Sequence, residues 1–183
     1  MVAIRTTAPV RPPGLLSIKF LPNAVYKPVH RLQVTFAAAS AAGWPLDRVN
    51  FEVTEHEAIV DHDHLVGILR CYQAHAFPSA VDDFGARFAG LNLLGRLPPD
   101  LVRLDIGLVR NPPASRPRQV IVRAMVDICA QLGIRPLAEG VETFDECHAL
   151  ADLEIDLQQG FLFARPSLEP ALPMEWPTLV DGL

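Results

Sequence analysis

Residues 79–106 read SAVDDFGARFAGLNLLGRLPPDLVRLDI and contain the pattern that decides the fold. Apolar residues predict strands at Ser79–Phe84 and Leu101–Ile106, and the segment between them predicts a helix at Phe88–Arg96. A strand, a helix and a second strand of these lengths are typical of a parallel βαβ unit, because the helix returns the chain to its starting end. Each strand also carries aspartate near its carboxyl end. The stretch therefore predicts acidic side chains along one edge of a parallel sheet.

The same alternation of strand and helix extends in both directions from this unit. Further strands are predicted at Leu15–Leu21, Val49–Thr54 and Arg135–Ala138, with a weak one near Ile155–Leu157. Further helices are predicted at Arg31–Ala42, Asp61–Ala76, Gln119–Leu132 and Phe144–Leu153. Apolar strands that alternate with helices indicate the α/β class. About six βα units fit the chain, whereas a complete eightfold barrel usually takes ~250 residues. Two architectures remain: an open α/β sheet, or a barrel without its first two units.

The two ends of the chain differ in character from this alternating part. Residues 1–14 contain three prolines and no continuous apolar run, which predicts a loose N-terminal arm. Residues 15–168 form the predicted domain, and residues 169–183 form a C-terminal tail. The boundaries define one domain with short flanking segments.

Composition excludes several classes of function. The 183 residues include 16 Lys and Arg against 21 Asp and Glu, a formal net charge of −5. Binding to duplex nucleic acid depends on clustered basic residues, so this balance argues against it. No apolar run approaches the ~20 residues of a membrane-spanning helix, so no membrane association is expected. The three cysteines lack the close spacing of zinc or redox motifs, and we expect reduced thiols in a cytoplasmic protein.

Carboxylates concentrate at the carboxyl ends of the predicted strands. They are Glu52, Glu55, Asp82, Asp83, Asp105, Glu139 and Glu142. In a parallel barrel these ends share one face, where the catalytic groups of such barrels lie. Converging oxygen ligands suit Mg²⁺ or Mn²⁺ and phosphate chemistry. The pattern predicts a metal-dependent site on that face.

These residues occur within motifs that resemble those of the EAL family, whose members hydrolyse cyclic di-GMP to linear pGpG. The motifs are Phe51–Glu55 (FEVTE), Asp82–Gly85 (DDFG), Arg103–Asp105 (RLD), Ala138–Glu142 (AEGVE) and Gln159–Gly160 (QG), and they stand in the family order. The resemblance covers about Leu15–Pro166 and includes the stretches Leu16–Tyr26 and Gly90–Leu94. It implies a modified TIM barrel with its active site at the strand carboxyl ends.

The resemblance also implies roles for individual residues. The positions that bind the metals, or the water between them, are Glu52, Asp82, Asp83, Asp105 and Glu139. Glu55 matches the residue that anchors the mobile loop after the third strand, and Gln159 matches one that supports the site. Glu142 is expected to lie just behind the metal ligands. The implied catalytic group comprises Arg103, Glu139 and Glu55.

Four departures from the family pattern affect this site. The Glu-Ala-Leu motif, whose glutamate is a metal ligand, has no counterpart, because the chain begins after that point. A family asparagine that binds metal aligns with Lys19, whose ammonium has no lone pair to donate. The catalytic-site lysine of the family aligns with Arg103, so a planar guanidinium replaces a compact ammonium. Arg87 replaces a loop glycine. We expect an incomplete Mg²⁺ or Mn²⁺ site and weak or absent hydrolysis.

Three functions remain on this basis. Lys19, Arg87, Arg103 and Gln159 are candidates to bind cyclic di-GMP, since the cations offset phosphate charge without a metal. An interaction-only regulatory domain and a residual phosphodiesterase are the alternatives. A barrel without two units leaves unpaired strand edges. We therefore expect either a homo-oligomer, a partner domain that completes the barrel, or a fragment of a longer protein.

Overall fold

The computed structural model of the chain describes residues 2–9, 14–54, 61–86, 90–110 and 115–166. The strands are β1 (Leu16–Lys19), β2 (Val49–Thr54), β3 (Ser79–Phe84), β4 (Leu101–Leu104), β5 (Arg135–Glu139) and β6 (Leu157–Gln159). The helices are α1 (Val2–Thr7), α2 (Pro28–Ala42), α3 (His62–Ala74), α4 (Gly90–Arg96), α5 (Ile106–Val109), α6 (Arg116–Leu132) and α7 (Phe144–Ala151). The predicted tail at 169–183 lies outside these residues. No helix in the described ranges has the length and apolarity needed to cross a bilayer.

The six strands follow one another in chain order from β1 to β6, and every neighbouring pair is parallel. In an open doubly wound sheet the strand order reverses at a switch point, and helices then cover both faces. The order of the described strands does not reverse, so right-handed crossovers place the helices on one side. The fold is an incomplete TIM-like barrel. The six-unit barrel prediction is confirmed, and the open-sheet alternative is wrong.

An aromatic cluster between the sheet and α3 determines which strand residues face the helices. The rings of Phe51 in β2 and Tyr72 in α3 have centroids 4.3 Å apart. Phe20 lies edge-on to Tyr72 at 5.4 Å, and Phe77 lies 5.3 Å from Phe51. Because successive strand residues point to opposite faces, Glu52 must point away from the helices. We call that opposite side the inner face of the sheet.

The N-terminal segment is more ordered than its sequence predicts. Residues Val2–Thr7 form α1, which packs against α2, and the side chain of Ile4 is completely buried. The small residues Ala38 and Ala39 of α2 belong to the same apolar core and allow a close approach. The prediction of a loose arm is therefore wrong for α1, because one well-placed isoleucine docks a helix that has no long apolar run.

Several element boundaries differ from the sequence prediction, and two of them have a clear physical reason. Helix α6 begins at Arg116 rather than Gln119, since Pro117 occupies an early helical position where its missing N–H costs nothing. Strand β6 spans Leu157–Gln159 rather than Ile155–Leu157, because its register follows the pairing of Glu139 with Gln159. The shift places Gln159 inside the sheet rather than after it.

The docking of α1 is testable by truncating its buried residue. We expect Ile4→Ala to reduce the free energy of unfolding by about 2–5 kcal/mol, because a buried isoleucine loses contacts and leaves a cavity. Val2 is 81% exposed on the same helix, so Val2→Ala should change it by less than about 0.5 kcal/mol. Urea denaturation of both variants checks this. Equal effects would show that α1 does not dock through Ile4.

Candidate active site

Six inward-facing side chains meet at the carboxyl ends of the strands, one from each strand. They are Lys19, Glu52, Asp82, Arg103, Glu139 and Gln159. Register aligns Lys19 with Glu52 across β1 and β2, and Glu139 with Gln159 across β5 and β6. Together with Asp83, these residues are called the inner cluster below. The sequence prediction that acidic residues of separate strands share one face agrees with this arrangement.

The Arg103 guanidinium is the centre of the inner cluster. Its Nη1 lies 2.7 Å from Oε1 of Glu52, and its Nε lies 3.5 Å from Oδ1 of Asp82. Its Nη2 contacts Oε1 of Glu139 and donates a 3.3 Å hydrogen bond to Oε1 of Gln159. The Arg103 side chain is 13% exposed, and those of Glu52 and Asp82 are 5% exposed. One cation on β4 thus contacts groups on β2, β3, β5 and β6.

Lys19 supplies the second cation. Its Nζ lies 2.6 Å from Oδ2 of Asp82, and its side chain is 52% exposed at the edge of the sheet. The hydrogen bond from Lys19 to Asp82 raises the pKa of the ammonium against the effect of burial, and the charges of Asp83 and Glu52 raise it further. Burial lowers the pKa of Arg103, but the surrounding carboxylates outweigh it and raise the pKa overall. Both side chains therefore remain cationic at neutral pH.

Glu139 has the most unusual protonation behaviour of the cluster. Burial raises its pKa to about 7 from an ordinary value of 4.5. The Arg103 charge lowers the pKa, whereas the nearby carboxylates of Asp82, Asp83 and Glu52 raise it. Near neutral pH the Glu139 side chain is therefore divided between its neutral and ionised forms.

A backbone irregularity brings two consecutive aspartates to the same side of the sheet. The register of β3 and β4 shifts between Val81 and Phe84, and Asp83 has a φ of +55°. Aspartate tolerates this left-handed conformation better than most residues do. Oxygens of Asp82, Asp83 and Glu139 consequently lie within 4.8 Å of one another, close enough for three ligands of one metal ion. Sequence alone carries no signal for this bulge.

Asp105 engages in a different contact from the rest of the acidic set. Its Oδ1 accepts a 2.8 Å hydrogen bond from the backbone N–H of Gly107, so it caps the start of α5. It is not among the three carboxylates that the structure brings together, and its role as a metal ligand stays a prediction. Glu55 and Arg87 lie outside the described residues, so their roles also stay predictions.

Two further polar residues bear on the site. The carboxylate of Glu142 pairs with Arg110, whose Nη2 lies 2.7 Å from Oε1 of Glu142.

Asn50 is completely buried two residues before Glu52, and its Nδ2 donates to Oγ of Ser17 at 3.0 Å. Sequence reasoning did not single out Asn50, although its position two residues before Glu52 in a strand places it on the same face.

The fold and the site together define a class: an α/β barrel with carboxylates and two cations gathered at its strand carboxyl ends. The EAL domain family model matches residues 2–166. The chain belongs to the EAL domain family.

Relatives of this family are about one-third identical to the chain over the residues that align. The blue light- and temperature-regulated antirepressor BluF of Escherichia coli K12 is 32% identical over 163 residues, covering 89% of this chain and 40% of BluF. The cyclic di-GMP phosphodiesterase PdeB of Shewanella oneidensis is 34% identical over 122 residues, covering 67% of this chain and 14% of PdeB. The chain therefore spans less than half the length of either relative.

Solved structures of this family superpose closely on the chain. A standalone versatile EAL protein from Vibrio cholerae O395, in its c-di-GMP-bound form, has a TM-score of 0.89 and 38% identity. That match covers 94% of this chain and 73% of the other. Klebsiella pneumoniae BlrP1, in a manganese and cy-diGMP complex at pH 9.0, has a TM-score of 0.80 and 38% identity, covering 90% and 42% respectively.

We expect removal of the Arg103 guanidinium to lower the stability of the chain strongly. Arg103→Ala leaves Glu52 and Glu139 without their cation, so we expect a loss of about 3–5 kcal/mol in the free energy of unfolding. Arg96 provides a matched control, because its 2.7 Å ion pair with Asp63 is exposed. Arg96→Ala should cost less than about 1 kcal/mol. Urea denaturation at pH 7 compares them, and similar losses would contradict a central role for Arg103.

The raised pKa of Glu139 predicts how stability changes with pH. A carboxyl with a folded-state pKa of about 7, against 4.5 ordinarily, stabilises the folded chain while protonated and loses this contribution as pH rises through 7. The free energy of unfolding should therefore fall between pH 5 and 8 less steeply in Glu139→Gln than in the wild type. Urea denaturation across that range measures both slopes. Identical slopes would show that Glu139 titrates as an ordinary glutamate.

Proposed function

We propose that this chain is a regulatory EAL domain that binds cyclic di-GMP without hydrolysing it efficiently. The observation that carries the proposal is the pairing of the cluster's carboxylates with two cationic side chains. Asp82 contacts both Lys19 and Arg103, and Arg103 also contacts Glu52 and Glu139. The family resemblance implies that the three carboxylates, Glu52, Asp82 and Glu139, bind metal ions.

The donor set in this chain does not fit a resident metal centre. Asp82, Asp83 and Glu139 bring three oxygens together, but two of the three carboxylates already neutralise a basic side chain. A divalent cation would have to enter next to an ammonium and a guanidinium, and neither group can donate a lone pair to it. Hydrolysis that depends on metal-activated water requires an intact ligand set. This supports weak or absent turnover.

Binding of a phosphate-containing ligand is supported by the same two cations. The Lys19 side chain is half exposed at the edge of the inner cluster, so its ammonium can turn from Asp82 toward a ligand. The partly buried guanidinium of Arg103 is already oriented by its carboxylates and Gln159. Charge-assisted contacts of both kinds suit phosphate oxygens. The V. cholerae protein, 38% identical, has been solved in a c-di-GMP-bound form.

One observation favours a second candidate, an interaction-only regulatory domain. The inner cluster contains four carboxylates, Glu52, Asp82, Asp83 and Glu139, against the two cations Lys19 and Arg103. Without a metal this surplus of negative charge opposes an anionic ligand. The relative BluF is named as an antirepressor. Residual phosphodiesterase activity is the third outcome that the test must separate.

The test combines calorimetry with a turnover assay on the purified chain. With cyclic di-GMP in EDTA we expect saturable binding that Mn²⁺ does not strengthen. With Mg²⁺ or Mn²⁺ we expect pGpG release far below the ~1–10³ per second of ordinary enzymes. Turnover in that range would support the phosphodiesterase and contradict the proposal. Absence of binding heat with and without metal would instead favour the interaction-only domain.

Paired lysine variants locate the binding site. Lys19→Met should weaken cyclic di-GMP binding in EDTA by about tenfold or more, since a charge-assisted contact is worth ~1.5–3 kcal/mol. Lys27 is an exposed lysine at the start of α2, so Lys27→Met is the matched control and should leave binding unchanged. Equal affinities for the two variants would place the nucleotide elsewhere.

A further inference from the structure

One member of the three-carboxylate group is in contact with a cation of the chain itself. Oxygens of Asp82, Asp83 and Glu139 lie within 4.8 Å of one another, an arrangement suited to a single divalent ion. The Lys19 ammonium stands 2.6 Å from Oδ2 of Asp82. An oxygen that accepts a close ammonium contact is not available to a metal at the same time.

We propose that the Lys19 ammonium occupies the place of a metal ion at this three-carboxylate group, so that loss of its charge converts the group into a divalent-cation site. The inference rests on the proposed function, because both treat the wild-type cluster as metal-independent. It makes no use of nucleotide binding, however. The two can therefore fail separately.

Strand pairing sets the position of the Lys19 backbone next to the cluster. Strand β1 pairs in register with β2 from Leu16 to Lys19, and Lys19 stands directly opposite Glu52. Strand pairing thus places the Lys19 backbone beside the cluster, and the side chain extends from there to Asp82. The raised pKa of the ammonium keeps it charged across the neutral range. A positive charge 2.6 Å from Oδ2 of Asp82 repels any approaching cation.

Lys19, rather than Arg103, is the cation that can be removed cleanly. Arg103 is 13% exposed and bridges several strands, so its loss leaves buried carboxylates without a partner. Lys19 is 52% exposed, and Asp82 has a second cationic neighbour in Arg103, whose Nε lies 3.5 Å from its Oδ1. Removing Lys19 therefore frees an oxygen of Asp82 for a metal while the remaining contacts of Arg103 persist.

The experiment titrates Mn²⁺ alone, without nucleotide, into the full chain and follows binding by calorimetry. The wild type should show no saturable binding up to millimolar Mn²⁺. Lys19→Met should bind Mn²⁺ at least about tenfold more tightly, because a repulsive unit charge close to the site has been removed. Lys27→Met removes an exposed lysine that is not part of the inner cluster and should behave as the wild type. Lys19→Arg keeps the charge and should also resemble the wild type.

Two further measurements keep the inference falsifiable. Combining Lys19→Met with Asp83→Asn should abolish the gained affinity, which places the metal at the three-carboxylate group. Should Lys19→Met fail to fold, Lys19→Gln replaces it, and the Tm of the wild type with and without Mn²⁺ decides independently, since a bound ion raises Tm. A wild type that Mn²⁺ stabilises, or that binds Mn²⁺ as tightly as Lys19→Met does, would overturn the inference. If Lys19→Met binds Mn²⁺ but the wild type does not bind cyclic di-GMP, only the proposed function is contradicted.

Discussion

The contact of the Arg103 guanidinium with three carboxylates constrains the rest of this site. Glu52, Asp82 and Glu139 come from β2, β3 and β5 and point into one confined region. Carboxylates at such distances repel each other strongly when water is largely excluded. A planar cation with several donors can neutralise more than one of them at once. The strand ends can converge on the inner face because β4 delivers this cation between β3 and β5.

The strand order is what gives Arg103 that position. In the sequential parallel sheet, β4 lies between β3 and β5, and its inward side chain reaches partners on both sides. The aromatic contacts of Phe51 and Tyr72 determine which residues of β2 face the helices, and hence that Glu52 faces inward. The core and the polar cluster are therefore two consequences of the same alternation along each strand. A shift of one residue along a strand would turn its apolar side chains to the inner face and its polar side chains toward the helices.

The ion-paired cluster gives the EAL scaffold a different balance of charge from the one that its family resemblance implies. Lys19 and Arg103 belong to the polypeptide and cannot dissociate, whereas a bound metal can. A buried ion pair is poor evidence for net stability, because the loss of hydration opposes the Coulomb attraction. The raised pKa of Glu139 adds a proton as a further neutralising charge near neutral pH.

Much of this architecture follows from the sequence, and the remainder depends on contacts between distant segments. The apolar runs and their spacing determined the parallel α/β class, the positions of the central strands and the convergence of Glu52, Asp82 and Glu139 on one face, because these follow from local periodicity and strand direction. Tertiary structure alone decided that Ile4 docks a helix, that Asp83 turns to the side of Asp82, and that Asp105 caps α5. It also decided the pairing of Lys19 with Asp82 and of Arg103 with Glu52, which is 51 residues away. Such pairings depend on register, twist and side-chain reach across several strands, and no local pattern in the chain encodes those distances.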